Sequence, residues 1–356
     1  MSSISQGAEA ETHETVSLGI SPVAALIEAF SHVVAFLFNP FVLRHWLKLG
    51  AVCLFLGGGA SWAAIHWSLG ALPSESGVDR ALVQVRLYLA RHPLAGLGVA
   101  AIGVALGVVL IYLRALCRFT LVASILRGEV HLHQAWAELR SVAETYFRWL
   151  LAALFLMGLA LAAGMLMALP LLRDPDTRPA FASALLAGLL IAEVLMSVTL
   201  GLAITLTDDL VAPIIYAEQV TLPAAWRRLL TTMRSDVGAF VLYILLRFVV
   251  SVAAGIAVLF FLFPALVALF SGSVIVAALV VLGLEQVGVG WDWTPVTTLV
   301  AGVALLLLVG LLFAVMGVVS MPGQVFLQTF GMRFIAPRVP ALHARLNPHA
   351  SKSRNE

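Results

Sequence analysis

VGAFVLYILLRFVVSVAAGIAVLFFLF, from Val237 to Phe263, is 27 residues long and holds one charged side chain, Arg247. A helix needs about 20 apolar residues to cross a hydrocarbon core. Only a helix satisfies its own backbone hydrogen bonds in such a place without a closed barrel. The stretch therefore reads as a membrane span, and it is not alone. Trp46–Leu69, Pro93–Leu116, Trp149–Leu172, Ala180–Leu206 and Pro295–Ser320 have the same character. The expectation is an all-α, polytopic helical membrane bundle of six spans.

Composition agrees. The chain of 356 residues is 61% hydrophobic and 11% charged, with a mean hydropathy of +1.02. A soluble domain usually carries about 25% charged residues, so lipid is the solvent that fits.

Two apolar stretches fall outside the six. Pro22–Phe38, interrupted by Glu28, Ser31 and His32 and ended by Asn39-Pro40, reads as a helix at the cytoplasmic interface. Residues 264–285 read as interfacial or re-entrant half-helices, because Pro264 and Phe270-Ser-Gly-Ser273 divide them, with a seventh span as the alternative. Residues 1–18 and 341–356 read as disordered cytoplasmic tails around one membrane domain, 19–340.

The charges set an expected orientation. Fifteen of the 21 Lys and Arg lie before or at the start of span one, in or bordering the even-numbered connections, or after span six. Only Arg80, Arg86, Arg91, Arg173 and Arg178 lie on the other side. Positive charge marks the cytoplasmic side, which places both termini there and the protein in a bacterial inner membrane. Trp67, Trp291 and Trp293 then fall at the outer interface and Trp46 and Trp149 at the inner one.

Two connections share a pattern. Val130–Leu139, VHLHQAWAEL, and Val220–Leu229, VTLPAAWRRL, both fit V-x-L-x-x-A-W-x-x-L, so Trp136 answers Trp226 ninety positions on. Each reads as a short amphipathic helix on the cytoplasmic side. A parallel duplication of 117–156 and 207–246 is the expected origin.

The residues Asp208–Val250, DDLVAPIIYAEQVTLPAAWRRLLTTMRSDVGAFVLYILLRFVV, include Pro213 and Tyr216. With them go Asn39-Pro40 followed by Arg44 and Trp46, and MPGQVFLQTFGMRFIAP from Met321 to Pro337. Together these are similar to poorly characterised bacterial membrane proteins related to the membrane domain attached to some glycerophosphodiester phosphodiesterases. In the fused enzymes hydrolysis belongs to a separate soluble barrel. The resemblance therefore implies a polytopic membrane domain and carries no catalytic residue to this chain.

Charged groups inside spans cost several kcal/mol unless paired or hydrated. Glu193 in span four and Arg247 in span five are the first candidates, both expected near mid-bilayer and expected to pair. Asp208 and Asp209 are the second, at the cytoplasmic end of span four, with Arg118 as their expected partner. Gly103-x-x-x-Gly107 and Gly57-Gly58-Gly59 are expected packing sites. Cys53, Cys117 and the scattered histidines have no metal-ligand spacing, and no cofactor motif is present. The basic residues follow topology and form no nucleic-acid face.

Three functions fit these residues. The first is binding or moving a lipid-like or amphiphilic substrate, or supporting a protein partner in a membrane complex. The second is an enzyme acting on lipid head groups near Asp208 and Asp209. The third is a structural subunit or assembly factor. Membrane lipids are the expected partners of all three.

Overall fold

A computed structural model describes residues 21–56, 91–129, 132–173, 180–286 and 295–346. Among them every element is helical. Helix α1 (Pro22–Phe38) starts where Ser21 Oγ accepts from the amide of Ala24 and Pro22 supplies a preset φ. It buries Ala25, Ala29, Val33 and Leu37, one helical stripe. The cis Asn39–Pro40 bond leads to α2 (Leu43–Leu56). There Trp46 Nε1 donates back to the Leu37 carbonyl at 2.8 Å.

Long helices follow: α3 (Pro93–Arg127), α4 (Leu132–Arg173) and α5 (Ala180–Leu206). A π turn at Thr207–Val211 joins α5 to α6 (Ala212–Glu218), and α7 (Leu222–Ser235) comes next. Then come α8 (Val237–Gln286), α9 (Pro295–Ile335), a 3-10 turn at Ala336–Arg338 and α10 (Pro340–Leu346). Among the described residues five helices are long and apolar enough to cross a membrane. This is a polytopic helical membrane protein. The remaining expected span, Trp46–Leu69, is described only as far as Leu56, and the rest of it lies outside the described residues.

Three expectations are corrected. Residues 264–285 are not broken half-helices, because α8 runs unbroken through Pro264 to Gln286. Proline removes one amide donor yet has a helical φ, and an apolar chain without water keeps every other helical bond. At 1.5 Å per residue α8 is about 75 Å long. The polar C-terminal end is ordered as far as Leu346, since α10 buries Leu342 and Leu346 against the bundle. Arg345 lies over the Tyr216 ring there, 5.2 Å from its centre. The first Trp-bearing segment is not a separate helix either, since it forms the opening turns of α4. The second is separate, because Asp236 ends α7 and its Oδ1 accepts from the Ala239 amide of α8 at 3.2 Å. The tail 1–18, the glycines 57–59 and Trp67, Trp291 and Trp293 lie outside the described residues.

The packed core sits toward one end of the bundle. It takes Ala115–Ile125 of α3, Leu139–Leu150 of α4, the π turn with α6, Phe240 and Tyr243 of α8, and Met321–Ile335 of α9. Beyond it the apolar side chains are largely exposed, as at Leu97 and Ile102 on α3, Phe260 and Phe263 on α8, and Leu306 on α9. In lipid such exposure costs nothing, because acyl chains are as apolar as leucine.

Close helix contacts use glycines other than Gly103 and Gly107, which have open space around them. A β-carbon on Gly317 of α9 would lie 2.5 Å from the Gly50 carbonyl oxygen of α2. Gly317→Ala is therefore expected to lower stability by about 1–3 kcal/mol, read as thermal unfolding in detergent, while Gly103→Ala leaves it unchanged.

At the foot of α1, Arg333 of α9 lies 3.7 Å from Glu28 and 3.3 Å from His32 Nδ1. Burial, and then the charge of Arg333, lower the His32 pKa below its usual 6.5. Burial and then Lys48 do the same to His45. A lowered folded pKa means the unfolded chain takes up the proton first. Stability is thus complete above the unfolded pKa and falls as pH drops through it toward the folded one. The melting temperature is expected to fall from about pH 7.5 to about pH 5, less steeply in His32→Gln.

Candidate functional site

Asp208 and Asp209 lie in the π turn, buried to 3% and 1% residual exposure. The turn is a consequence of sequence. Pro213 has no amide to give the Asp209 carbonyl four residues back. The Ala212 amide instead reaches Thr207, five residues back. Within this turn the two adjacent carboxylates point at different helices. It also needs room: a β-carbon on Gly331 of α9 would stand 2.6 Å from the Asp209 carbonyl oxygen. Only glycine lets α9 approach so closely.

Asp208 faces α3 and α4. Its Oδ2 takes Arg118 Nη2 at 2.7 Å and Arg114 Nη2 at 3.0 Å. Its Oδ1 accepts the Tyr146 hydroxyl. Arg118 also donates to Gln328 Oε1 at 2.5 Å, and the Gln328 amide lies 3.5 Å from the Asp208 carbonyl. Asp209 faces α8, where its Oδ2 takes Arg247 Nε at 2.6 Å. The Tyr243 hydroxyl is 3.4 Å from the same oxygen, and Arg247 continues to the Ser251 hydroxyl. Tyr243 is itself held by Phe330 and by Phe334, stacked at 4.5 Å.

The expected partnership of Arg118 with the aspartates is thus present, through Asp208. The expected Glu193–Arg247 pair is not. Arg247 is engaged by Asp209, and Glu193 precedes Asp209 by 16 residues on the same helical path, about 24 Å along it. Glu193 lies instead against Gly164 of α4, whose missing side chain leaves room for the carboxylate. Glu193 keeps its mid-helix position, whereas Arg247 belongs with the aspartates near the packed end.

Pro213 shapes the turn, but Tyr216 stands apart, accepting from Arg127 Nε at 3.2 Å. Trp136 is exposed and Trp226 half-buried. Asn39 and Pro40 join α1 to α2. Arg114, Tyr146, Tyr243, Ser251 and Gln328 were not foreseen. Arg114 and Arg118, like Tyr243 and Arg247, are four apart on one helix face, and that spacing was their only sequence signal.

The arrangement holds charge. Asp208 has both oxygens engaged, and Asp209 is locked through Oδ2, so neither stands ready as a base. Arg114 Nε, Arg118 Nε and Asp209 Oδ1 are enclosed without a hydrogen-bond partner. Among the described residues no group of three His, Cys, Asp or Glu could hold a metal ion.

Residues 20–344 match the model of a family of unknown function, DUF7544. The chain belongs to that family. No curated protein and no solved structure matches it. The family match covers α1 to α9 and all but the last two residues of α10, so the ion cluster lies within the family's domain.

Breaking a buried pair from one side costs about 3–5 kcal/mol, because a charge is left alone. Asp209→Asn and Arg247→Gln should each destabilise by that order in detergent unfolding. The double variant should lose less than the sum of the two. Additive losses would mean the pair contributes no coupling.

Proposed function

We propose that this protein binds, or passes along, a lipid-like amphiphile whose anionic head group docks at the Arg114–Arg118–Arg247 cluster. The observation that carries the reading is where the cluster sits. It lies at the level where the buried core gives way to exposed apolar side chains, below long apolar walls. Pro93–Leu113 on α3 is 21 residues without a charge, about 32 Å of helix. That is the thickness of a hydrocarbon core. Arg114, next in line, then stands at head-group depth with acyl chains able to lie along Leu97, Ile102 and Leu106.

The basic bias of the loops supports an orientation with both termini cytoplasmic in a bacterial inner membrane. The cluster is then at the inner leaflet. Duplication is supported by more than the Trp motif. Leu139 of α4 is buried ninety positions before the buried Leu229 of α7. Each connection also has a charge clip, Arg127–Glu138 at 2.5 Å and Glu218–Arg228 at 2.6 Å, with the signs exchanged. Arg118 and Asp208 are themselves ninety positions apart, so the central ion pair joins matching places in the two copies. Sites at repeat interfaces are a recurrent feature of membrane carriers.

The likeness to the membrane domain attached to some glycerophosphodiester phosphodiesterases stays within this reading as a likeness of membrane domains. The engaged state of both carboxylates favours binding over head-group chemistry.

Lipid extracted from protein purified in mild detergent tests the proposal. Wild type should retain anionic lipid through detergent exchange, and Arg114→Gln/Arg247→Gln should lose most of it. Arg227→Gln/Arg228→Gln, on the exposed face of α7, should not. A lipid-free wild type, or equal loss in the control, would defeat the reading.

A further inference from the structure

The geometry points to Arg114 as the receptor for one negative charge, a singly charged phosphate ester; the inference rests on the lipid-binding reading above. Three guanidiniums meet two carboxylates in the cluster, which leaves one positive charge in excess. The excess can be assigned to a residue. Arg247 has Asp209 to itself. Arg114 and Arg118 share a single oxygen, Asp208 Oδ2, while Tyr146 occupies the other.

Arg118 is the better anchored of the two. It is nearer at 2.7 Å, it bonds Gln328, and its side chain is 7% exposed. Arg114 is farther at 3.0 Å and 26% exposed. Its Nε is enclosed and has no acceptor. Arg114 is therefore the cation with the weaker share of Asp208 and the one of the two that a ligand can reach.

Guanidinium is a planar fork of donors that matches phosphate oxygens in pairs. An excess of one charge is neutralised by a phosphodiester, which carries one. A phosphomonoester carries between one and two at neutral pH and would leave the cluster negative. Arg118 acts here as a positioning residue, since it holds Asp208 and so fixes the donor geometry of Arg114.

Native mass spectrometry of the full chain in detergent micelles, with added lipids, tests this. Wild type should retain phosphatidylglycerol about tenfold over phosphatidylcholine. Arg114→Gln should bring that ratio near one, and Arg114→Lys should keep part of it. Asp208→Asn raises the excess to two charges and should turn the preference toward phosphatidic acid. Should Asp208→Asn fail to fold, as judged by thermal unfolding, the Arg114 pair of variants still decides.

An Arg114→Gln protein that keeps its preference for phosphatidylglycerol overturns the inference and leaves lipid binding intact. A wild type that retains none of these lipids overturns lipid binding itself. Displacement of phosphatidylglycerol by millimolar inorganic phosphate supports the Arg114 receptor and overturns a lipid as the source of the anion.

Discussion

The buried ion pair between Arg118 and Asp208 is the constraint around which the packed end of the bundle is arranged. Two charges withdrawn from water lose solvation worth several kcal/mol each, and they recover it only with good geometry and a full set of further hydrogen bonds. Each neighbouring element supplies one of those bonds. Tyr146 comes from α4, Gln328 from α9, and Arg114 from one turn earlier on α3. Remove any of these helices and a charge is stranded in an apolar medium. The pair therefore fixes which helices meet and at what height, although its net contribution to stability is small.

The backbone at the aspartates suits that geometry. Adjacent residues on a helix point about 100° apart, so Asp208 can face α3 and α4 while Asp209 faces α8. Pro213 removes the amide that would bond the Asp209 carbonyl in a regular helix, the turn widens, and Gly331 admits α9 to that carbonyl. Single-turn π-helices of this type recur at functional sites. Here the unusual backbone, the excess charge and the unpartnered donor fall within one turn of one another.

Much of the architecture was legible in the sequence because hydrophobic length is a one-dimensional signal. Val237–Phe263 and Pro93–Leu116 identify themselves as spans without knowledge of their neighbours. The amphipathic spacing of Leu222, Ala225 and Leu229 likewise predicts which face of α7 is buried. Asp208, Asp209 and Arg118 could be singled out because charge at a span end is rare. Their partners could not be placed fully, since pairing depends on the relative height of helices. Glu193 and Arg247 looked matched when each was counted from its own span boundary. The helix starts and ends they were counted from are right, at Ala180–Leu206 and Val237, but Arg247 is only ten residues from the packed end of α8 and is taken by Asp209, while Glu193 lies 16 residues before Asp209. Pro264 misled in a related way: proline weakens a helix in water, but an apolar environment removes the alternative of solvating the broken turn.

The charge imbalance makes sense only when the two ends of the bundle are considered together. At the packed end α3 and α4 engage both oxygens of Asp208 and α8 engages one oxygen of Asp209. Away from it the exposed side chains are apolar from Leu94 to Leu106 on α3. Arg114 occupies the step between them: four residues before Arg118, it belongs to the cluster, and immediately after Leu113, it borders the lipid-facing run. A guanidinium at that step is drawn to the cluster by Asp208 and is also open to any anion arriving along the apolar wall. Asp208 is thereby shared between two guanidiniums of one helix face, the inner one buried and bonded to Gln328, the outer one partly exposed.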